Sequence, residues 1–437
     1  MSFRLLVLWL LLFSGHLWAG PAIQSWTTEK GARVLFVPAP ELPMVDVRVV
    51  FDGGSARGAI PGVASLTSAL LEEGAGEWNA DEIAERLDSV GANMSVSSQR
   101  DMAWLSVRTL TEKKALTVTM DTVAQVLGAP RFDAADFERN RKAMLVSLNH
   151  DEQSPGTVAQ KTFMHTLFGE HPYAAEVEGT EASLARITRE DVIAHYKKYY
   201  VAKNAVIAIV GAVERAEAER LAELVTSGMQ AGERAPALPP VSDLQAARTL
   251  NLQFPSSQSH ILMGQPGMHR GDPDYFILYV GNHILGGSGL VSQLSEEVRE
   301  KRGLSYSVYS YFSPMRRNGP FLIGAQTQNA KAGEALQVIK QTLARFIEQG
   351  PSEDELKAAK QNITGGFPLR IASNSKILEY IAMLGFYDLP LDYLDTFVDK
   401  VNSVTREQIR EAFQRRIKPD QLLTVVVGNE QKPAQVN

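Results

Sequence analysis

The 437-residue chain contains no cysteine. That absence excludes disulfide staples, thiolate metal ligands and a thiol nucleophile, so stability must come from the core alone. A long hydrophobic run is also missing. The single apolar stretch of note, residues 5–13, is too short to span a bilayer. It follows Arg4 and precedes Leu17-Trp18-Ala19-Gly20, the layout of a secretory leader cleaved after residue 19, with an N-terminal membrane anchor as the alternative. No cysteine stands near that junction to carry a lipid. Strong charge of either sign is lacking too. The formal net charge is −6, or −7 once residues 1–19 and their one arginine are removed, which argues against nucleic acid as a partner. Histidine is sparse: after the leader there remain His150, His165, His171, His195, His260, His269 and His283, no two of them three or four residues apart. No helical metal-binding pair can be built from them.

What is present is a repeat. Ile187-Thr188-Arg189-Glu190-Asp191-Val192 opens a helical stretch that leads to the apolar run 205–210 and Gly211. Val404-Thr405-Arg406-Glu407-Gln408-Ile409 opens another, leading to the apolar run 422–427 and Gly428. Thr188 and Thr405, like Gly211 and Gly428, are 217 residues apart. Two copies of one fold are expected, each closing with a Thr N-cap, a charged helix and a buried strand. The helical stretches 136–151 and 353–365 extend the correspondence upstream. Residues 230–247, with Pro236, Pro239 and Pro240, read as a linker between an N-terminal domain, 20–229, and a C-terminal domain, 248–437. Strands are expected at 45–51, 103–107, 260–264 and 321–326. Strands and helices interleave without steady alternation, which predicts an α+β class: two homologous α/β-roll domains, each a mixed sheet with helices on one face.

Several blocks carry a resemblance. Pro61-Gly62-Val63-Ala64-Ser65-Leu66-Thr67-Ser68-Ala69-Leu70-Leu71-Glu72-Glu73-Gly74 resembles the zinc helix of the pitrilysin/insulinase-type metallopeptidases, the inverzincins. His171-Pro172-Tyr173, Gly179-Thr180-Glu181 and the block 188–211 are similar to the end of that family's first domain. Ile284-Leu285-Gly286-Gly287-Ser288-Gly289, followed by Arg299-Glu300-Lys301-Arg302-Gly303-Leu304-Ser305-Tyr306-Ser307-Val308, resembles the signature of its second. The resemblance runs through essentially all of the chain after the leader, in order and at the family's spacing.

The resemblance implies a zinc motif, and the sequence lacks one. Active members carry His-x-x-Glu-His, two imidazoles on one helix face around a carboxylate that activates the bound water. Ser65, Ser68 and Ala69 stand at those positions, and the downstream ligand carboxylate falls at or next to Val146-Ser147. Glu72 and Glu73 read as solvated residues of the last helical turn, and His150-Asp151-Glu152 as a capping or surface cluster, with ligation the alternative for each. His171 reads as structural. No metal is therefore expected on this chain, and zinc is expected on a partner.

The family's other half is retained. Arg299 and Tyr306 match an Arg/Tyr pair, seven residues apart, that reaches a zinc site in trans and holds the substrate carbonyl and the oxyanion. The alternative is structural, with Arg299 paired to a neighbouring Glu and Tyr306 packed in a strand. Gly286, Gly287 and Gly289 shape the turn entering that helix. Residues 93–98, centred on Ser95, Val96 and Ser97, resemble the edge strand on which relatives lay an extended peptide; an edge that only avoids aggregation is the bland reading. The expected function is the zinc-less subunit of a secreted or periplasmic heterodimeric zinc endopeptidase resembling processing peptidases, acting on peptides or unfolded protein beside a zinc-bearing homologous subunit, with monomer and homodimer both open for the isolated chain. The alternatives are a catalytically silent scaffold of the same fold and a free-standing metallopeptidase.

Overall fold

Apolar runs with period two, and runs apolar on both faces, become the strands of two sheets. The computed structural model describes residues 22–429, so the expected leader lies outside the described residues. The first half contributes β1 (Gln24–Thr27), β2 (Arg33–Pro38), β3 (Met44–Phe51), the two-residue β4 (Gly74–Ala75) and β5 (Trp78–Asn79), β6 (Asn93–Ser98), β7 (Ala103–Leu110) and β8 (Ala205–Gly211). The second contributes β9 (Arg248–Gln253), β10 (Gln258–Pro266), β11 (Ser307–Phe312), β12 (Pro320–Gln328) and β13 (Leu423–Gly428).

The sheet orders are β1-β2-β8-β3-β7-β6 and β11-β12-β10-β13-β9. Without β1, the two are the same sheet. β2 runs parallel to β8 as β9 does to β13, and every other neighbour is antiparallel. The 217-residue repeat therefore extends to topology. Thr188 and Thr405 both cap their helices, each accepting from the backbone N–H three residues on in a complete capping box.

Each sheet carries its own half's helices on one face. Val34, Phe36, Val45, Val47, Val49 and Phe51 share a core with Leu66, Met120 and Val123 of the first half's helices. The alternate residues meet something the sequence did not announce. Leu35, Val37, Val50, Val206, Ala208 and Val210 pack in one core with Leu378, Ile381 and Leu384, from the second half's helix Asn374–Phe386. Reciprocally, Leu262, Leu322, Leu423, Val425 and Val427 pack with Ala159, Phe163 and Leu167 of the first half's helix Pro155–Phe168. The halves exchange one helix each, so both sheets are covered on both faces.

Residues 230–247 carry no helix or strand, yet they are stitched down. Arg57 donates to the Pro236 carbonyl (2.6 Å), Arg317 to that of Leu238 (2.7 Å), and Leu238 itself is buried.

Candidate functional site

The helix Val63–Ala69 starts at Gly62, whose left-handed φ of 94° turns the chain into it. A side chain there would also strike the Glu178 carbonyl at 2.9 Å. The helix packs beside β6 and the helix Ala134–Asp151, which brings the degenerate motif, the edge strand and Val146-Ser147 into one neighbourhood. The motif side chains are committed to structure. Ser65 Oγ donates to the Val177 carbonyl (2.8 Å), and buried Ser68 shares a hydrogen bond with the Tyr200 hydroxyl (2.9 Å). Burial pushes the Tyr200 phenol well above its usual range, so it stays neutral. Ala69 offers no donor atom, and Val146 and Ser147 are exposed. These residues do not fit a zinc ion.

The nearby carboxylates do not compensate. Glu73 is tied to Arg139 and to Asn140 (2.7 Å). The Glu72 carboxyl is pushed up by burial and by the Glu73 charge. Glu178 is likewise raised, by burial and by Asp151. His150 is exposed. Among the described residues, no three His, Asp or Glu side chains cluster so as to hold a metal ion.

His171 has a defined structural task. Its Nδ1 accepts from the Tyr173 N–H (3.1 Å), which fixes the proton on Nε2, and Nε2 then donates to the Pro239 carbonyl (3.0 Å). Burial, with the Arg317 charge adding to it, lowers the ring's pKa and keeps it neutral.

Arg299 and Tyr306 lie in the second half on adjoining elements. The stretch Ser295–Glu300 winds as a π-helix, its Glu296 carbonyl accepting from Lys301 five residues on (2.9 Å). Glu297, on the same turn, points inward with 11% of its side chain exposed and bonds Arg302 (2.6 Å), Lys301 (3.0 Å) and Arg345 (3.2 Å). Those cations, Arg302 foremost, hold its carboxyl down to about 2. Arg299 points the other way, out into solvent, with a loose 3.6 Å pairing to Glu300. Tyr306 precedes β11. Its backbone N–H donates to Gln326 (3.1 Å), while its ring is 61% exposed and its hydroxyl has no hydrogen bond among the described residues. Tyr309 and Tyr311 continue the exposed aromatic row, stacked with centroids 6.0 Å apart. Tyr309 lies over Gly324, where a Cβ would come within 2.4 Å of the ring. Gly286 likewise has no room for a side chain, with Ser310 Oγ at 2.3 Å from a Cβ, and Gly289 takes φ 65°. Gly287 ends the π-helix His283–Gly287. Among the described residues, neither Arg299 nor Tyr306 bonds to the first half.

At the edge of the first sheet, β6 pairs only with β7. Val96 turns its side chain into the first half's core, leaving Ser95 and Ser97 on the opposite face of the strand.

A second polar centre, invisible to sequence reasoning, clamps the halves. Buried Asp101 accepts from the hydroxyls of Tyr173 (2.6 Å) and Tyr387 (2.9 Å) and from the Arg316 N–H (2.6 Å). Tyr173 also accepts from the Arg317 N–H (2.9 Å), and burial with the Asp101 charge raises both phenols' pKa. Alongside, Asp52 takes two bonds from Arg57 (2.6 and 2.8 Å) and faces Arg316 at 3.3 Å. These partners come from four remote segments; the one local signal was the His171-Pro172-Tyr173 triplet.

Comparison with known proteins fits this anatomy. Residues 33–181 match the family described as Insulinase (Peptidase family M16), and residues 186–363 match the Peptidase M16 inactive domain. An uncharacterised zinc protease of Streptomyces coelicolor is 27% identical over 80% of this chain and 77% of its own length. A Helicobacter pylori protein described as a non-peptidase homolog is 25% identical over 90% of each. A crystal structure of a peptidase M16 inactive domain from Pseudomonas fluorescens superposes with a TM-score of 0.91 at 37% identity, covering 94% of this chain and 99% of that one. The chain therefore belongs to the insulinase-type peptidase family, M16, as a member without the zinc ligands its first-half helix would have to carry.

Proposed function

We propose that the chain is the zinc-less subunit of a heterodimeric zinc endopeptidase, presenting Arg299 and Tyr306 to a homologous subunit that carries the metal. The observation that carries this reading is a contrast in commitment. Ser65 and Ser68 are consumed by internal hydrogen bonds, whereas the Arg299 guanidinium, held only by its 3.6 Å pairing with Glu300, and the Tyr306 hydroxyl face solvent, within reach of an outside group. A guanidinium and a neutral phenol are suited to a charge that develops in the transition state of amide hydrolysis. The free edge of β6, with Ser95 and Ser97, would hold an extended peptide through backbone bonds. The leader-like residues 1–19 support export, to the periplasm or beyond. No helix among the described residues is long and apolar enough to cross a membrane.

The test mixes the chain with a zinc-bearing homologous subunit and follows hydrolysis of an unstructured peptide. Arg299→Ala is expected to lower kcat by about 10²–10³-fold while leaving subunit association intact, and Tyr306→Phe to lower it less. Unchanged turnover in Arg299→Ala would end the catalytic reading. A second reading, a catalytically silent scaffold, draws support from the non-peptidase description of the Helicobacter pylori relative. It predicts stable association with partners that are not proteases, or a homodimer, with no effect of either substitution on any peptidase.

A further inference from the structure

Between the helix Tyr275–Asn282, the end of β11 and the C-terminus of the helix Glu353–Arg370 lies a cavity of about 350 Å³. Its walls hold two guanidiniums, Arg270 and Arg370, and no Asp or Glu. Tyr275 and Tyr279, stacked with centroids 6.0 Å apart and rings nearly parallel, and Tyr311 supply aromatic surface.

Arg270 is the informative residue. Its guanidinium makes no hydrogen bond or ion pair among the described residues, and its Nε is buried without a partner. The carboxylates nearest in sequence are engaged elsewhere, Asp272 by Arg416 and Asp274 by Arg415 (2.9 Å). It stands 5.5 Å from the Tyr387 ring and near the Tyr393 phenol, neither of them an anion. A partly desolvated guanidinium without an anion is costly, and most proteins supply one. Arg370 is explained in part by its place at a helix C-terminus, where a cation is favoured. Its guanidinium nevertheless stands 5.9 Å from the Tyr279 ring and meets only the hydroxyls of Tyr279 and Tyr380, with no carboxylate in the cavity wall. Two guanidiniums without a carboxylate, one of them with a buried and unpartnered Nε, and a stacked aromatic wall converge on one space of ligand size.

We propose that this cavity binds a carboxylate carried on an apolar or aromatic group, the two arginines holding the charge and the tyrosines the body. Such a group could be a free organic acid or the C-terminus of a peptide. The assignment is independent of the partner-subunit reading, because binding is measured on this chain alone.

The experiment is calorimetric titration of the full chain with three probes: 3-phenylpropanoate, its amide, and N-acetyl-alanyl-phenylalanine with a free carboxylate. Both acids, or one of them, are expected to bind at least about tenfold more tightly than the amide, and Arg270→Gln and Arg370→Gln each to weaken the acid about tenfold. Arg270→Lys should recover part of the loss by restoring the charge. Arg370 is exposed, so its substitution tests the site without burdening the fold. Tighter binding of the small acid identifies a free acid as the ligand class, and tighter binding of the peptide acid identifies a peptide terminus. Equal binding of acid and amide, or affinity indifferent to both arginine substitutions, would overturn the assignment.

Discussion

Asp101 concentrates more of the inter-half bonding than any residue of the degenerate motif. Removing its carboxylate leaves the Tyr173 and Tyr387 hydroxyls and the Arg316 N–H without their acceptor in a buried place. Asp101→Ala is therefore expected to cost about 3–5 kcal/mol, read as a lower denaturant midpoint at unchanged m. A loss under about 1 kcal/mol would mean that water replaces the carboxylate freely. At this scale the sequence was legible where chemistry was missing. Ser65, Ser68 and Ala69 are recognisable because a spacing is kept while its residue types are not. Asp101 was illegible because its partners lie 72, 215 and 286 residues away and no local spacing records them. Arg270 escaped for the same reason, since only the fold reveals that its neighbouring carboxylates are already paired.

Among the elements, the π-helix Ser295–Glu300 matters most, because it aims Arg299 outward while Glu297 anchors the turn from within. The helical character of this stretch was readable in its charge spacing. Its wider winding was not, because side-chain periodicity over six residues does not separate a π-turn from an α-turn. Glu297 makes the anchoring pH-dependent. Its carboxyl is held at about 2 against an ordinary 4.5, so its contribution is fully present above 4.5 and is lost as pH falls toward 2. Glu297→Gln should destabilise the protein by about 1–2 kcal/mol at neutral pH, a figure reduced by the half-exposure of the three cations. The gap between wild type and variant, followed by thermal unfolding from pH 6 down to pH 3, should narrow below 4.5. A gap that stays constant across that range would show that the charge is not what anchors the turn.

For the whole molecule, the exchanged helices predict that two repeated halves behave as one cooperative unit. The repeat itself was legible from the 217-residue offset, and the buried strands gave a further hint. β8 is apolar at every position, a pattern suited to a strand covered on both faces. What the pattern withheld was the identity of the cover, because an apolar helix face does not state which sheet it will meet. The contacts answer this with little slack. A Cβ on Gly385 of the helix Asn374–Phe386 would come within 2.5 Å of Val206 and 2.6 Å of Leu35, both in the other half. Tryptophan supplies a built-in test of the coupling in a chain that starts after residue 19, and so lacks Trp9 and Trp18, since Trp26, Trp78 and Trp104 all lie in the first half and the second contains none. Phe367 is buried among the second half's helices, stacked on Phe397 at 4.4 Å, and Phe367→Ala should cost about 3–5 kcal/mol. If the halves fold as one, tryptophan fluorescence must report that loss in full, with the same midpoint shift as circular dichroism. A fluorescence midpoint that stays at the wild-type value while the dichroism midpoint falls would mean that the exchanged helices do not couple the halves.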